Sequence, residues 1–281
     1  MTDTPASTTT PSAGRRPLPV AAVQMVSTPD VAANLDAAAR LIARAADDGA
    51  RLVALPEYFC LLGRRDSDKL AIRERDGDGP IQAFLAECAR RHRVWVLGGT
   101  VPLDSGSPTR VRNASLLYGP DGTRSARYDK IHLFGFERGA ERFDESATIA
   151  AGRTPVVADV EGWRLGLSIC YDLRFPELYR NLAPVDLILV PSAFTYTTGQ
   201  AHWDLLLRAR AIENQCYVLA PAQGGEHPNG RRTWGRSMLV DPWGEVVSRI
   251  DEGEGLAAGV VDPGRIDDVR RSLPALTHRV M

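Results

Sequence analysis

The run Arg51-Leu52-Val53-Ala54-Leu55-Pro56 has nothing polar between its arginine and its proline. A strand with one wetted face alternates apolar and polar residues, so an unbroken apolar run implies a strand covered on both faces, and Pro56 marks where its pairing stops. Such strands belong to parallel-rich sheets with helices packed outside, and the neighbouring pattern agrees. A strand over residues 20–26 is followed by a helix over 30–48, with Val31, Leu35, Ala38 and Ile42 on one face and Gly49 as its C-cap. The periodicity then predicts a helix over 80–92, strands over 94–97 and 187–190, a helix over 201–214 and a strand over 217–220. Short strands over 237–240, 246–250 and 257–261 complete the core. Hairpins interrupt this rhythm after Trp234 and near Lys130, where strands over 113–118 and 124–128 are joined by Gly119-Pro120-Asp121-Gly122. That order predicts two sheets with helices outside rather than one doubly wound sheet.

Three chemically capable residues stand at the ends of such runs. Cys170 follows Leu165-Gly166-Leu167-Ser168-Ile169 at a turn that opens a helix, where the positive end of the helix dipole is expected to favour thiolate. Glu57 follows Pro56, and Lys130 ends the hairpin. Taken singly, a buried structural cysteine and a surface ion pair are the plain alternatives. Strand ends are where sites assemble in parallel-rich sheets, so an acid, an ammonium and a thiol at three of them can converge.

The segments that hold these residues, Leu55-Pro56-Glu57-Tyr58, Tyr128-Asp129-Lys130-Ile131-His132-Leu133-Phe134 and Cys170-Tyr171-Asp172-Leu173-Arg174-Phe175-Pro176-Glu177, resemble the three signature segments of the nitrilase superfamily of carbon-nitrogen hydrolases. The likeness runs in order from about residue 18 to the C-terminus. It implies a four-layer α-β-β-α sandwich of the α/β class in one domain, 18–281, and a protein that pairs through its helical layers as a homodimer or larger homo-oligomer. It implies Glu57 as general base, Lys130 as electrostatic stabiliser, Cys170 as nucleophile and Glu145 as a supporting glutamate. The residue types suit that chemistry. Attack by a thiolate on an amide builds charge on the carbonyl oxygen, and one preorganised donor there is worth about 3 to 4 kcal/mol. A carboxylate beside a lysine can act as base and then as acid.

Composition narrows the alternatives. A net charge of −1 and arginine clusters without interleaved aromatics give no nucleic-acid partner. Four cysteines without paired spacing argue against disulfides and zinc, the five histidines form no i, i+3 or i+4 pair, and so no metal or other cofactor is expected. No apolar run approaches the roughly 20 residues that span a bilayer. A reducing cytoplasm fits best. Residues 1–17, rich in Thr, Ser, Pro and Ala, read as a disordered tail. Residues 253–259 have the wrong glycine spacing for a phosphate loop, and no G-x-S-x-G elbow offers a serine nucleophile.

Within the superfamily, Cys170-Tyr171-Asp172 differs from the Cys-Trp-Glu of nitrilases proper and resembles amidases of small anionic metabolites. Pro191-Ser192-Ala193-Phe194 and the segment from Arg208 to Val218 favour an amidase of deaminated glutathione over an omega-amidase acting on alpha-ketoglutaramate. Hydrolysis of N-carbamoyl amines, acyl transfer to an amine, and an idle metabolite- or partner-binding member are further alternatives. Tyr58, Tyr171, Arg174, Phe194 and Thr195 are the candidate substrate contacts. Arg174 is the cation nearest the nucleophile in sequence, with pairing to Glu177 as its structural alternative.

Overall fold

The computed structural model describes residues 15–139 and 141–280. In the first half of the chain the strands are β1 (Leu18–Gln24), β2 (Leu52–Ala54), β3 (Trp95–Leu97), β4 (Val101–Ser107), β5 (Arg110–Tyr118), β6 (Arg124–Asp129), β7 (Gly135–Arg138) and β8 (Glu141–Asp144). The second half adds β9 (Val156–Val160), β10 (Trp163–Leu167), β11 (Leu187–Leu189), β12 (Tyr217–Ala220), β13 (Gly224–Glu226), β14 (Arg232–Trp234), β15 (Met238–Val240), β16 (Val246–Arg249) and β17 (Gly255–Val261). The α-helices are α1 (Val31–Asp47), α2 (Pro80–His92), α3 (Pro176–Leu182), α4 (Tyr196–Asn214) and α5 (Pro263–Ser272).

Two mixed sheets result. One runs β17-β1-β2-β3-β5-β4, with β6 also paired to β5, and the other runs β16-β15-β12-β11-β10-β9. Each is built on a parallel trio, β1-β2-β3 and β10-β11-β12, with antiparallel strands outside it. The period-2 alternation of a strand explains why both faces of the first trio are apolar. Val20, Ala22, Leu52 and Ala54 pack into the cluster shared with the second sheet, while Ala21, Val23 and Val53 pack with α1 and α2. On the second sheet Gly166 faces Leu182 of α3, so that helix lies on the face opposite the first sheet. The layers are therefore α-β-β-α, as the element order predicts.

Local chemistry sets the helix ends. Asp30 caps α1 by accepting from the Ala33 N–H, and Gly49 follows its last turn with φ of +92°. The buried face is Asn34, Ala37, Ala38, Leu41, Ile42 and Ala45, which leaves the expected Val31 and Leu35 at its rim. Helix α2 spans the expected residues. Helix α4 starts at Tyr196, five residues before the expected 201, because the Thr195 hydroxyl caps it through the Thr198 N–H. The opening Tyr-Thr-Thr-Gly-Gln carries no apolar period, so the pattern hides this turn. The strands β4, β7, β8, β9, β13 and β14 are also absent from the sequence reading, being half-exposed or only three to five residues long in most cases. Of the expected tail, residues 1–14 lie outside the described residues. Arg15 is held in place, with its guanidinium 2.5 Å from Asp186 and over the Trp163 ring.

The turn after β2 is fixed by close contact. Gly99 has φ of +46°, and a Cβ there would lie 2.0 Å from the Pro56 carbonyl oxygen, one residue before Glu57. Gly99→Ala is expected to destabilise the fold by about 2–4 kcal/mol in urea unfolding through overpacking and added backbone strain. A loss under about 0.5 kcal/mol would mean that this turn yields.

Candidate active site

Glu57, Lys130 and Cys170 meet between the two sheets. Glu57 leaves the end of β2, Lys130 follows β6, and Cys170 follows β10 by way of Ser168 and Ile169. Lys130 Nζ donates to Glu57 Oε1 at 2.8 Å and lies 2.8–2.9 Å from both oxygens of Glu145. Glu57 Oε1 also accepts from Asn113 Nδ2 at 2.9 Å, and its Oε2 accepts from the Ala193 N–H at 3.0 Å. Ala193 follows β11, so one carboxylate joins both sheets. Glu145 accepts further from the Phe134 N–H and the Tyr58 hydroxyl, each at 2.8 Å. Lys130 is fully buried and Glu57 is 1% exposed, so the surface ion pair is excluded.

Cys170 has φ of +48° and is buried, and it lines the same cavity as Glu57. Asp172 holds this turn by accepting from the Ile169 N–H at 2.9 Å, the Tyr128 hydroxyl at 2.7 Å and the His132 N–H at 3.0 Å. The helix-dipole expectation is corrected. Residues Cys170–Arg174 form a 3-10 turn, and the α-helix begins only at Pro176. Burial, followed by the charge of Glu57, pushes the thiol well above its ordinary value, outweighing the opposing pull of Lys130.

Environment separates the two glutamates. Burial raises Glu57 against the opposing charge of Lys130. Burial would also raise Glu145, but Lys130, the Phe134 N–H and the Tyr58 hydroxyl bind its charged form and leave it below the ordinary 4.5. Lys130 is itself raised well above 10.5: burial works against its charge, and Glu145 and Glu57 overcome it. The cluster therefore pairs a firmly charged ammonium and Glu145 with a more basic Glu57 beside a protonated thiol.

A cavity of about 490 Å³ opens over Cys170. Of the candidate contacts, Tyr58 and Thr195 line it. Tyr171, Arg174 and Phe194 line a small adjoining cleft that also reaches Cys170. Arg174 lies over the Tyr171 and Phe194 rings and 3.2 Å from His202 Nδ1, instead of pairing with Glu177. Sequence reasoning missed Asn113, Lys69 and the arginines of the cavity wall. Only Asn113 carries a local signal, as an amide at the start of the strand expected over 113–118, whose next residues are mostly apolar.

A family model for carbon-nitrogen hydrolases matches residues 19–271. The chain belongs to that family and is a carbon-nitrogen hydrolase. It is 43% identical to a deaminated glutathione amidase of Synechocystis over 94% of this chain and 99% of the relative. It is 37% identical to a chloroplastic omega-amidase of Arabidopsis thaliana, over 91% and 70% of the two chains. The crystal structure of Saccharomyces cerevisiae Nit3, a member of branch 10 of the nitrilase superfamily, superposes with a TM-score of 0.84 at 32% identity, over 92% of this chain and 95% of that one. Among the described residues no helix is long and apolar enough to cross a membrane, and no group of three or more His, Cys, Asp or Glu side chains is arranged to hold a metal ion.

Removing the shared cation tests these electrostatics. In the native protein Glu145 contributes stability above pH 4.5 that is lost as pH falls through its lowered folded value. In Lys130→Met the two buried carboxyls face each other without a cation, and both are expected to rise above their unfolded values. The variant should lose about 3–5 kcal/mol at pH 7, with the loss growing as pH rises from about 5 to 8. Urea unfolding across that range measures it, and a pH-independent loss would contradict the assignment.

Proposed function

We propose that the protein hydrolyses deaminated glutathione at the amide of its 2-oxoglutaryl group, through a thioester on Cys170. The observation that carries this reading is one buried carboxylate, Glu57, bonded to the Lys130 ammonium and lining one cavity with Cys170. Glu57 takes the thiol proton as sulfur bonds to the amide carbon. The resulting oxyanion is held by Lys130 Nζ and by the N–H of Tyr171, which has no helical partner in an opening turn. Collapse breaks the C–N bond, and Glu57 returns the proton to the departing amine. Glu57 then deprotonates a water that attacks the thioester, the C–S bond breaks as Glu57 passes that proton to sulfur, and the acid leaves a restored thiol. Glu145 positions Lys130 and Tyr58.

The substrate assignment is supported by the identity to the Synechocystis amidase and by a cavity wall in which Arg65, Lys69, Arg142, Arg231 and Arg232 stand against the carboxylates of Glu57, Asp66, Asp144 and Glu145, a small excess of cations that suits an anionic ligand. At about 490 Å³ the cavity is within the usual range for small-molecule sites, about 300–1,000 Å³. The chain further pairs as a homodimer through the outer face of α4, where Leu205 is 71% and Ile212 48% exposed, beside Trp243 at 52%. Its four free cysteines suit a reducing cytoplasm.

Deaminated glutathione and alpha-ketoglutaramate are to be compared by kcat/KM, with products identified by mass spectrometry. Deaminated glutathione is expected to be preferred and to yield 2-oxoglutarate. Preference for alpha-ketoglutaramate points to the omega-amidase reading, acyl-amine products point to transfer, and turnover of an N-carbamoyl amine alone overturns the branch. Cys170→Ala should lower kcat at least about 10⁴-fold while folding normally, and an active variant sinks the thioester route. Light scattering should give twice the mass of one chain, and a single-chain mass refutes the dimer.

A further inference from the structure

Five cations line the cavity over Cys170, and they differ in what holds them. Arg231 pairs with Asp66 at 2.6 Å and lies over the Phe143 ring. Arg232 pairs with Glu252 at 3.2 Å and stacks on Tyr196. Arg65 and Arg142 are exposed to solvent. Lys69 is half-buried yet has no carboxylate at ion-pair distance among the described residues. Its ammonium contacts the Thr148 hydroxyl at 3.3 Å and lies 5.2 Å from the centre of the Tyr58 ring. Burial lowers its pKa, against the opposing charges of Glu145 and Asp66. An ammonium has three donors, and a desolvated cation short of partners gains most from an incoming carboxylate.

Position indicates which carboxylate. Lys69 rests on Tyr58, whose hydroxyl bonds to Glu145, which bonds to Lys130. It therefore lies one side chain beyond the reacting centre, on the side of the Glu145–Lys130 pair. The acyl group shared by deaminated glutathione and alpha-ketoglutaramate carries a 2-oxo acid carboxylate a few bonds from the scissile carbonyl.

We propose that Lys69 binds the carboxylate at the far end of the substrate's acyl chain and so selects amides of short 2-oxo dicarboxylic acids. The inference rests on the anionic substrate proposed above and deepens it, since it assigns the acyl half to Lys69 and leaves the departing amine to the exposed part of the wall. Lys69 is a specificity residue here. Its loss should weaken ground-state and transition-state binding together, and so raise KM with little change in kcat.

The test uses the full chain with Lys69→Met, Lys69→Gln and Lys69→Arg. Lys69→Met and Lys69→Gln should raise KM for deaminated glutathione about 10- to 100-fold, the loss of one charge-assisted contact, with kcat within a few-fold of native. The constant for alpha-ketoglutaramate, as substrate or competitor, should rise by a similar factor, and Lys69→Arg should recover part of the loss. Thermal unfolding checks that each variant folds, and Lys69→Gln carries the test if Lys69→Met does not. Unchanged KM overturns the inference. A fall in kcat at constant KM also overturns it, because Lys69 would then act through Glu145 and Lys130. A rise confined to deaminated glutathione assigns Lys69 to the leaving group and overturns the acyl assignment. If the native protein turns over neither anionic amide, the substrate reading fails and takes this inference with it, an outcome visible before any variant is measured.

Discussion

The site depends on one buried ammonium shared by two buried carboxylates. Lys130 lies between Glu57 and Glu145 at 2.8–2.9 Å, and none of the three could be buried without the others at tolerable cost. The cluster is also a joint in the fold. Glu57 comes from the first sheet and receives an N–H from Ala193 after β11 of the second, so the spacing between sheets sets the position of its carboxylate. Packing of Val20, Leu52 and Ala54 against the second sheet is therefore part of how the site is made.

The same burial governs where protons sit. An isolated thiol at a turn would be activated by becoming a thiolate, but this thiol shares a dry space with Glu57 and is pushed the other way. The carboxylate beside it is one that burial has made more basic. Glu145 receives more stabilisation of its charged form and stays below the ordinary value. One cation and two differently solvated carboxyls thus produce distinct protonation tasks within a few ångströms.

Much of this was legible in the chain. Unbroken apolar runs give buried strands, Pro80 and Asp30 mark helix starts, and Glu57, Lys130 and Cys170 stand where strands end. What was not legible depends on long-range placement. The dipole argument at Cys170 used only neighbours in sequence, whereas burial under the folded chain, and then the charge of Glu57, 113 positions earlier, oppose it. Arg174 is near Cys170 in sequence yet reaches toward His202, while Lys69, about a hundred positions away, lines the cavity. The start of α4 was hidden because a threonine cap and three polar residues precede its apolar face.

The turn at Cys170 shows how such geometry is held. A non-glycine residue at φ of +48° costs energy that its own turn does not return, and it persists only when surrounding contacts leave no alternative. Asp172 supplies them. Its oxygens accept from Ile169 immediately before Cys170, from Tyr128 at the end of β6 and from His132 just beyond Lys130. The segment that carries the ammonium is therefore tied through Asp172 to the segment that carries the thiol. A shift of β6 that moved Lys130 would pull on the Cys170 turn as well, so the two groups keep their relative placement even though they arise from different sheets. Arg231 and Arg232 of the cavity wall are instead tied to Asp66 and Glu252, so that part of the wall is built apart from the Cys170 turn.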